Sequence, residues 1–364
     1  MHDHKKPVYI IAEAGVNHNG SRDLAFQLVD AAAESGADAV KFQTFKASRL
    51  ASKKVEKANY QKSTTDKAES QLDMLAKLEL PEAWHSDLQK HARARGIEFL
   101  STAFDEQCLQ FLQSLNLPVY KVPSGELTNA PLLWRFAKTG KPLIISTGMA
   151  TLAEVEEALA IVAHALQFPE EPRRIDEVWQ CWSNPQRREM LKGHVTLLHC
   201  TSQYPTPWHE VNLRAMDTLA AAFGLDVGYS DHTEGTVIPV AAVSRGARVI
   251  EKHFTLDRTL PGPDHQASIE VDELKKLVSD IRALEIALGS PIKAPQTSEW
   301  DTRRAARQSI VAAHHLPAGK VIERSDLTTA RTGGGLPPNL FWELIGSTSS
   351  KSYEPGEVLN YDFK

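Results

Sequence analysis

The chain has 364 residues, 42% hydrophobic and 24% charged, which is ordinary globular material and exceeds one average domain, although a single (β/α)₈ barrel would use most of it. A net charge of −5 offers no broad basic surface for nucleic acid, and no run of about 20 apolar residues is long enough to span a bilayer. The polar start, Met1-His2-Asp3-His4, leads straight into a strand-like segment, so no signal peptide is expected; Cys108, Cys181 and Cys200 lack metal-ligand spacing and fit a reducing compartment, the cytoplasm by default.

From residue 8 to about residue 288, short apolar runs alternate with amphipathic stretches. The runs at 8–14, 39–45, 98–103, 119–123, 142–147, 195–201, 226–230 and 249–254 are nearly continuous in apolar residues, as strands covered on both faces require. Helical patterns lie between them, at 23–35, 81–95, 152–166, 212–223 and 271–288, and Pro81 suits a helix start. This alternation predicts an α/β fold, a (β/α)₈ TIM barrel in preference to an open doubly wound sheet. The barrel is preferred because of where the polar residues fall. Nearly every run ends in them: Glu13; Lys41 and Gln43; Ser101 and Thr102; Lys121 and Ser124; Ser146 and Thr147; Thr201 and Ser202; Ser230, Asp231 and His232; Lys252 and His253. Barrel enzymes build their sites at the carboxyl ends of the strands, so these side chains would converge on one mouth.

Two segments interrupt the alternation. Residues 48–80 are polar and lysine-rich and read as a long loop over the mouth; residues 168–193 read as an insertion before the sixth strand. After Pro291-Ile-Lys-Ala-Pro the character changes, and runs at 309–313, 321–322 and 356–363 around Gly333-Gly-Gly predict a small, mostly β domain. The expected division is a catalytic barrel over 1–290, a linker over 291–298 and the small domain over 299–364.

Three groups of residues carry chemistry. His232 and His253 end consecutive strands with Asp231 and Asp264 nearby, and imidazoles suit a divalent metal whose other positions stay open for substrate. A lone histidine would more simply be a hydrogen-bonding core residue; two at adjacent strand ends favour ligation. Lys41, Lys121, Thr102, Ser124 and Ser146 form a cationic, hydroxyl-rich set. A lysine ending a buried strand needs an anionic partner, either a ligand bearing phosphate and carboxylate or an internal carboxylate such as Glu13 or Glu126. Glu13, Glu126 and Asp264 are the candidate acid–base groups, although Asp264, in a proline-fixed loop, could merely cap a turn. Gly333-Gly-Gly follows no strand–helix phosphate motif. His199 and Cys200 are adjacent in a strand and face opposite ways, so they are not a ligand pair.

The chain resembles the bacterial sialic acid (N-acetylneuraminate) synthase family in Ile11-Ala-Glu-Ala-Gly-Val-Asn-His-Asn-Gly, Val40-Lys-Phe-Gln-Thr, Ser101-Thr-Ala-Phe-Asp, Lys121-Val-Pro-Ser-Gly-Glu and Ile145-Ser-Thr-Gly-Met. The match continues through Leu198-His-Cys-Thr-Ser-Gln-Tyr-Pro-Thr-Pro, Gly228-Tyr-Ser-Asp-His-Thr-Glu-Gly, Glu251-Lys-His-Phe-Thr-Leu-Asp and Gly262-Pro-Asp-His. The tail, from Arg307-Gln-Ser-Ile-Val-Ala-Ala to Arg331-Thr-Gly-Gly-Gly, is similar to that family's antifreeze-like (SAF) domain, with Thr332 where a proline is usual. The resemblance implies condensation of phosphoenolpyruvate with N-acetylmannosamine or a close relative by a domain-swapped homodimer, in which Arg331 of one copy reaches the sugar in the other. It implies metal ligands at His232 and His253 for Mn²⁺ or Mg²⁺, and phosphoenolpyruvate contacts at Lys41, Thr102, Lys121, Ser124, Ser146 and Ser230. Sugar-side and acid–base roles fall on Glu13, Gln43, Glu126, Tyr204 and Asp264. Ser202 replaces an asparagine frequent in N-acetylneuraminate enzymes, which leaves room for a diacetamido-trideoxy hexose leading to legionaminic or pseudaminic acid. Rival expectations are a synthase of seven- or eight-carbon 3-deoxy sugar acids, an acceptor carrying a terminal phosphate, and a catalytically silent carbohydrate-binding or polysaccharide-assembly protein.

Overall fold

The computed structural model describes residues 6–51, 57, 65–66 and 69–361; His2, His4, Phe363 and much of the expected 48–80 loop (52–56, 58–64, 67–68) lie outside them. The chain divides into two compact units, Met1–Gly289 and Ser290–Lys364.

In the first unit the eight expected runs all form strands: β1 Tyr9–Gly15, β2 Ala39–Thr44, β3 Glu98–Ala103, β4 Tyr120–Val122, β5 Leu143–Ser146, β6 Val195–His199, β7 Asp226–Asp231 and β8 Val249–Thr255. They are parallel in the order β3-β2-β1-β8-β7-β6-β5-β4. That order is the sequence order written on a circle, with β1 beside β8, whereas an open doubly wound sheet reverses direction at a switch point. β3 and β4 end the hydrogen-bonded path yet still touch, so the sheet is a nearly closed barrel. β4 is the shortest of the eight because Pro123, which lacks an N–H, follows it. A ninth strand, β9 Ile269–Glu270, returns to pair with β8.

The two-residue period of a strand sorts the side chains. Ile10, Val40, Phe42 and Phe99 point outward and join Leu28, Leu88 and Leu274 of the surrounding helices in the main core. Ile11, Ala39, Leu100, Ile144, Leu198 and Val249 point inward and form an apolar floor within the barrel. The floor is tightly filled: a Cβ on Gly228 would lie 2.4 Å from the Val249 carbonyl oxygen and 2.6 Å from Leu198 Cδ2. Two residues further along the same strands the inward positions become polar.

The helices start as the sequence leads one to expect. Ser21, Asp105 and Thr151 each cap the next helix by accepting a backbone N–H, and Thr151 with Glu154 forms a capping box. The helix expected at 212–223 is shorter, Ala215–Phe223. The two segments that interrupt the alternation contain helices. Residues 168–193 hold Ile175–Trp182 and Pro185–Glu189, whose Val178 and Trp182 join the main core. The described part of 48–80 holds Ala47–Leu50 and Gln71–Lys77, and its Met74 and Leu78 pack with Val16 and Phe45.

In the second unit β10 Gln308–Ala312 pairs antiparallel with β11 Leu327–Arg331. Isolated bridges join Val311 to Val358, Leu316 to Tyr353 and Val321 to Thr348, so the segment expected at 321–322 makes one bridge only. Ile310, Leu316, Ile322, Leu327, Tyr353 and Leu359 form its core. Gly335 (φ +128°) is needed there, since a Cβ would sit 2.2 Å from Val358 Cγ1. No described helix is long and apolar enough to cross a membrane.

Candidate active site

Above the apolar floor lies a ring of buried polar groups. Lys41 and Lys121, each 4% exposed, stand on β2 and β4, and Glu13 and Glu251 on β1 and β8. Lys41 Nζ lies 2.6 Å from Glu13 and 3.6 Å from Glu251, and Lys121 Nζ lies 3.7 Å from Glu251. Each lysine thus has a carboxyl partner, and neither ammonium is buried without one, which would be costly. Hydroxyls complete the ring: Lys41 donates to Thr102 Oγ1 (3.1 Å), Lys121 to Ser146 Oγ (2.6 Å), and Ser230 Oγ to Glu251 (2.9 Å). The internal partner of Lys41 is thus Glu13, one of the two carboxylates the sequence offers, and a second partner shared by both lysines is Glu251, which no strand end marks. Its signal lies in β8, where residues 249, 251 and 253 alternate inward.

The charges are tuned unequally. Burial pushes the Glu13 carboxyl up to about 7, against the pull of Lys41. Burial works the same way on Glu251, but Lys121 and Lys41 overcome it and hold that carboxyl down at about 2. Lys121 is lowered because burial outweighs Glu251, while Lys41 is raised because Glu13 and Glu251 outweigh burial. Glu13 is therefore the carboxylate of the ring suited to exchanging a proton near neutrality.

His232 and His253 sit at the ends of β7 and β8 with ring centroids 5.5 Å apart, and Tyr204 lies against both at 4.1 and 5.6 Å. His232 Nδ1 is 2.7 Å from the Thr201 carbonyl oxygen. A carbonyl only accepts, so Nδ1 carries the proton and Nε2 presents its lone pair. His253 Nδ1 is buried without a hydrogen-bond partner among the described residues. Burial depresses both imidazoles, His253 well below the ordinary value, so both are neutral and able to ligate. Asp231 does not join them: Lys252 (2.7 Å) and the Thr233 N–H (2.9 Å) occupy its carboxylate. No cluster of three or more His, Cys, Asp or Glu with metal-binding geometry occurs among the described residues. The donor set fits an ion taking two imidazoles and completing its shell with water or substrate oxygens.

Of the residues expected in the site, Glu13, Lys41, Gln43, Thr102, Lys121, Ser124, Ser146, Ser202, Tyr204, Ser230, His232, His253 and Asp264 line one cavity of about 330 Å³. Gln43 Nε2 donates to Glu13 (3.3 Å), and Ser124 Oγ accepts from the Gly148 N–H (3.0 Å). Gly148 has no room for a side chain, because a Cβ would lie 2.4 Å from Ser202 Oγ and 2.8 Å from Ser124 Oγ. Val16, Met74, Leu75, Leu78, Phe104 and Met149 supply an apolar wall. Glu126 is not brought to the cavity. It ends the 3₁₀ turn Ser124–Glu126 and accepts from Asn129 Nδ2 at 2.6 Å. Arg331 ends β11 in the second unit and is exposed. His199 faces away from Cys200's side: its Nε2 meets the Val211 carbonyl (2.7 Å), while Cys200 Sγ lies 3.2 Å from Ser124 Oγ.

Residues 28–293 match the model of the NeuB family and residues 307–363 that of the SAF domain. The chain is 46% identical to the N,N'-diacetyllegionaminic acid synthase of Campylobacter jejuni, over 97% of this chain and 99% of that protein. It is 47% identical to the enzyme of the same name from Legionella pneumophila, over 97% and 94%. Among solved structures it is similar to the N-acetylneuraminic acid (sialic acid) synthetase of Leptospira borgpetersenii, with 32% identity, a TM-score of 0.65, and coverage of 82% of this chain and 90% of that one.

Burial raises the Asp264 carboxyl from 3.8 to about 6. As pH rises from about 4 to 6 the unfolded chain releases this proton first, so stability falls through that window and stays lower above it, by something on the order of 3 kcal/mol. Asp264→Asn removes the penalty. Urea unfolding of the ligand-free protein is expected to show the variant more stable than wild type at pH 8, with a smaller advantage at pH 5; an advantage that grows on acidification would contradict this.

Proposed function

We infer, since the chain belongs to the NeuB family and is a nonulosonic acid synthase, that it joins phosphoenolpyruvate to a diacetamido-trideoxy hexose, giving a legionaminate-type nine-carbon acid and phosphate. The observation that carries this choice of acceptor is the make-up of the cavity. Among its described lining residues the lysines are Lys41 and Lys121, which belong to the inner polar ring, whereas Val16, Met74, Leu75 and Leu78 make an apolar wall. Such a wall suits the methyl end of a deoxy sugar and disfavours a terminal phosphate. The identities of 46% and 47% to diacetyllegionaminic acid synthases, against 32% to the sialic acid synthetase, point the same way.

Lys41 and Lys121, with Thr102, Ser124, Ser146 and Ser230 around them, take the phosphate and carboxylate of phosphoenolpyruvate. Gln43, Tyr204, Ser202 and Asp264 face the acceptor. A divalent ion, Mn²⁺ or Mg²⁺, held by His232 and His253 would polarise the acceptor's aldehyde oxygen. C3 of phosphoenolpyruvate forms the new bond to the aldehyde carbon, and water adds to C2. The C2–O bond to phosphorus then breaks, so phosphate leaves with the bridging oxygen and the water oxygen becomes the keto oxygen. Of the two water protons, one ends on the new hydroxyl and the other on phosphate. Glu13, placed near neutrality, takes the first proton from water and passes it on; Glu126 is engaged by Asn129.

The working unit is a homodimer in which the exposed Arg331 of each small domain serves the other copy's sugar site. The cytoplasm supplies the reducing conditions that three buried free thiols favour.

With Mn²⁺ present, kcat/KM for 2,4-diacetamido-2,4,6-trideoxymannose is expected to exceed that for N-acetylmannosamine at least about tenfold, and chelation is expected to abolish both activities. A preference for N-acetylmannosamine would move the chain to the sialic acid branch. Mixing inactive Arg331→Ala with inactive Lys41→Met under subunit exchange is expected to restore about a quarter of wild-type activity, since half the dimers then carry one intact site. No recovery would mean that Arg331 acts within its own copy, and full activity of Arg331→Ala alone would mean that it has no part in the reaction.

A further inference from the structure

Asp264 is buried in the cavity wall, yet its carboxylate makes no hydrogen bond among the described residues. Its place is therefore set by the backbone of residues 256–268, the loop that leaves β8 and returns as β9. Asn17 stands at the neck of this loop. The residue is 2% exposed and lies just past β1, and the chemistry above assigns it nothing. Its Nδ2 donates to the Phe254 carbonyl at 2.8 Å and to Ser268 Oγ at 3.0 Å, so one amide ties the departing strand to the returning one. Ser268 Oγ in turn donates to the Asp264 carbonyl at 2.7 Å. Asn19 Nδ2 holds the far side of the loop through the Pro261 carbonyl at 2.8 Å.

We propose that Asn17 is a positioning residue for the reaction: through Ser268 it fixes the backbone of Asp264, and so the aim of a carboxylate that makes no hydrogen bond of its own among the described residues. This rests on the proposed role of Asp264 towards the acceptor. The amide needs both of its protons here, one for each end of the neck, and no aliphatic side chain can replace them. Glu13, two residues before Gly15 on β1, faces the same cavity, so one strand and its following loop supply a reacting group and hold another. A shift of about 1 Å in a reacting group can cost about 10²-fold in rate.

The test is a double-mutant cycle of Asn17→Ala and Asp264→Asn, with phosphoenolpyruvate binding measured by calorimetry and hydrogen exchange followed over residues 256–268. Asn17→Ala is expected to lower kcat about 10²-fold with phosphoenolpyruvate affinity within about twofold of wild type, and to speed exchange in the loop. In the Asp264→Asn background the same substitution is expected to cost less than about threefold. A purely structural role would produce equal losses in both backgrounds, and that outcome, or full activity of Asn17→Ala, overturns the proposal. Full activity of Asp264→Asn overturns it too, because Asn17 would then position nothing that reacts. If Asn17→Ala does not fold, Ser268→Ala breaks only the second link and is read in the same cycle. Wild-type turnover of the acceptor, measured alongside, keeps the proposed function standing when only this inference fails.

Discussion

The structure depends on two lysines kept charged inside a barrel. Lys41 and Lys121 are held there by Glu13 and Glu251, at separations of 2.6 to 3.7 Å. An isolated ammonium at this depth would give up its proton or unfold its surroundings, and hydrophobic replacements would often be more stable than the ion pairs. The ring is thus costly as a structural element and useful as a receptor for a small, highly charged ligand. Its geometry is set by strands that have little freedom to move, which is where preorganised electrostatics need to be anchored.

One rule of side-chain alternation builds the ring, its floor and its rim. Along β8, Val249 belongs to the floor, Glu251 to the ring and His253 to the mouth; along β7, Gly228, Ser230 and His232 do the same. The intervening Asp231 and Lys252 form a wholly buried ion pair across the same two strands, 2.7 Å apart, behind the histidines. Burial then sets the protonation states. It keeps His232 and His253 neutral, lifts Glu13 and Asp264 towards neutral pH, and is overcome at Glu251 chiefly by Lys121 and Lys41.

Much of this was legible in the sequence, for a definite reason. Apolar runs ending in Lys, Ser, Thr, Asp and His carry both the strand positions and the end of the barrel that reacts, so thirteen of the expected site residues line one cavity. Glu251 immediately precedes Lys252 and His253, the polar pair that ends its apolar run, and only counting inward positions from Val249 to His253 reveals that it faces the cavity. Glu126 lies beyond its strand, in a 3₁₀ turn where its carboxylate accepts from Asn129, and is not among the residues lining the cavity. The lysines of 48–80 masked Met74, Leu75 and Leu78, whose spacing puts an apolar face on the helix Gln71–Lys77. Asn17 was visible as part of a motif, but its partners Phe254 and Ser268 are more than 230 residues away, a distance no local pattern spans.

The measurement that bears most directly on the lysine ring is calorimetric titration of phosphoenolpyruvate, without acceptor, into the wild-type protein and Lys121→Met. Methionine keeps much of the side-chain volume and leaves Glu251 paired with Lys41. The expected result is one phosphoenolpyruvate bound per wild-type chain, with affinity reduced at least about thirtyfold in the variant. Undiminished binding to Lys121→Met, or none to the wild type, would contradict the ring as the receptor of this substrate.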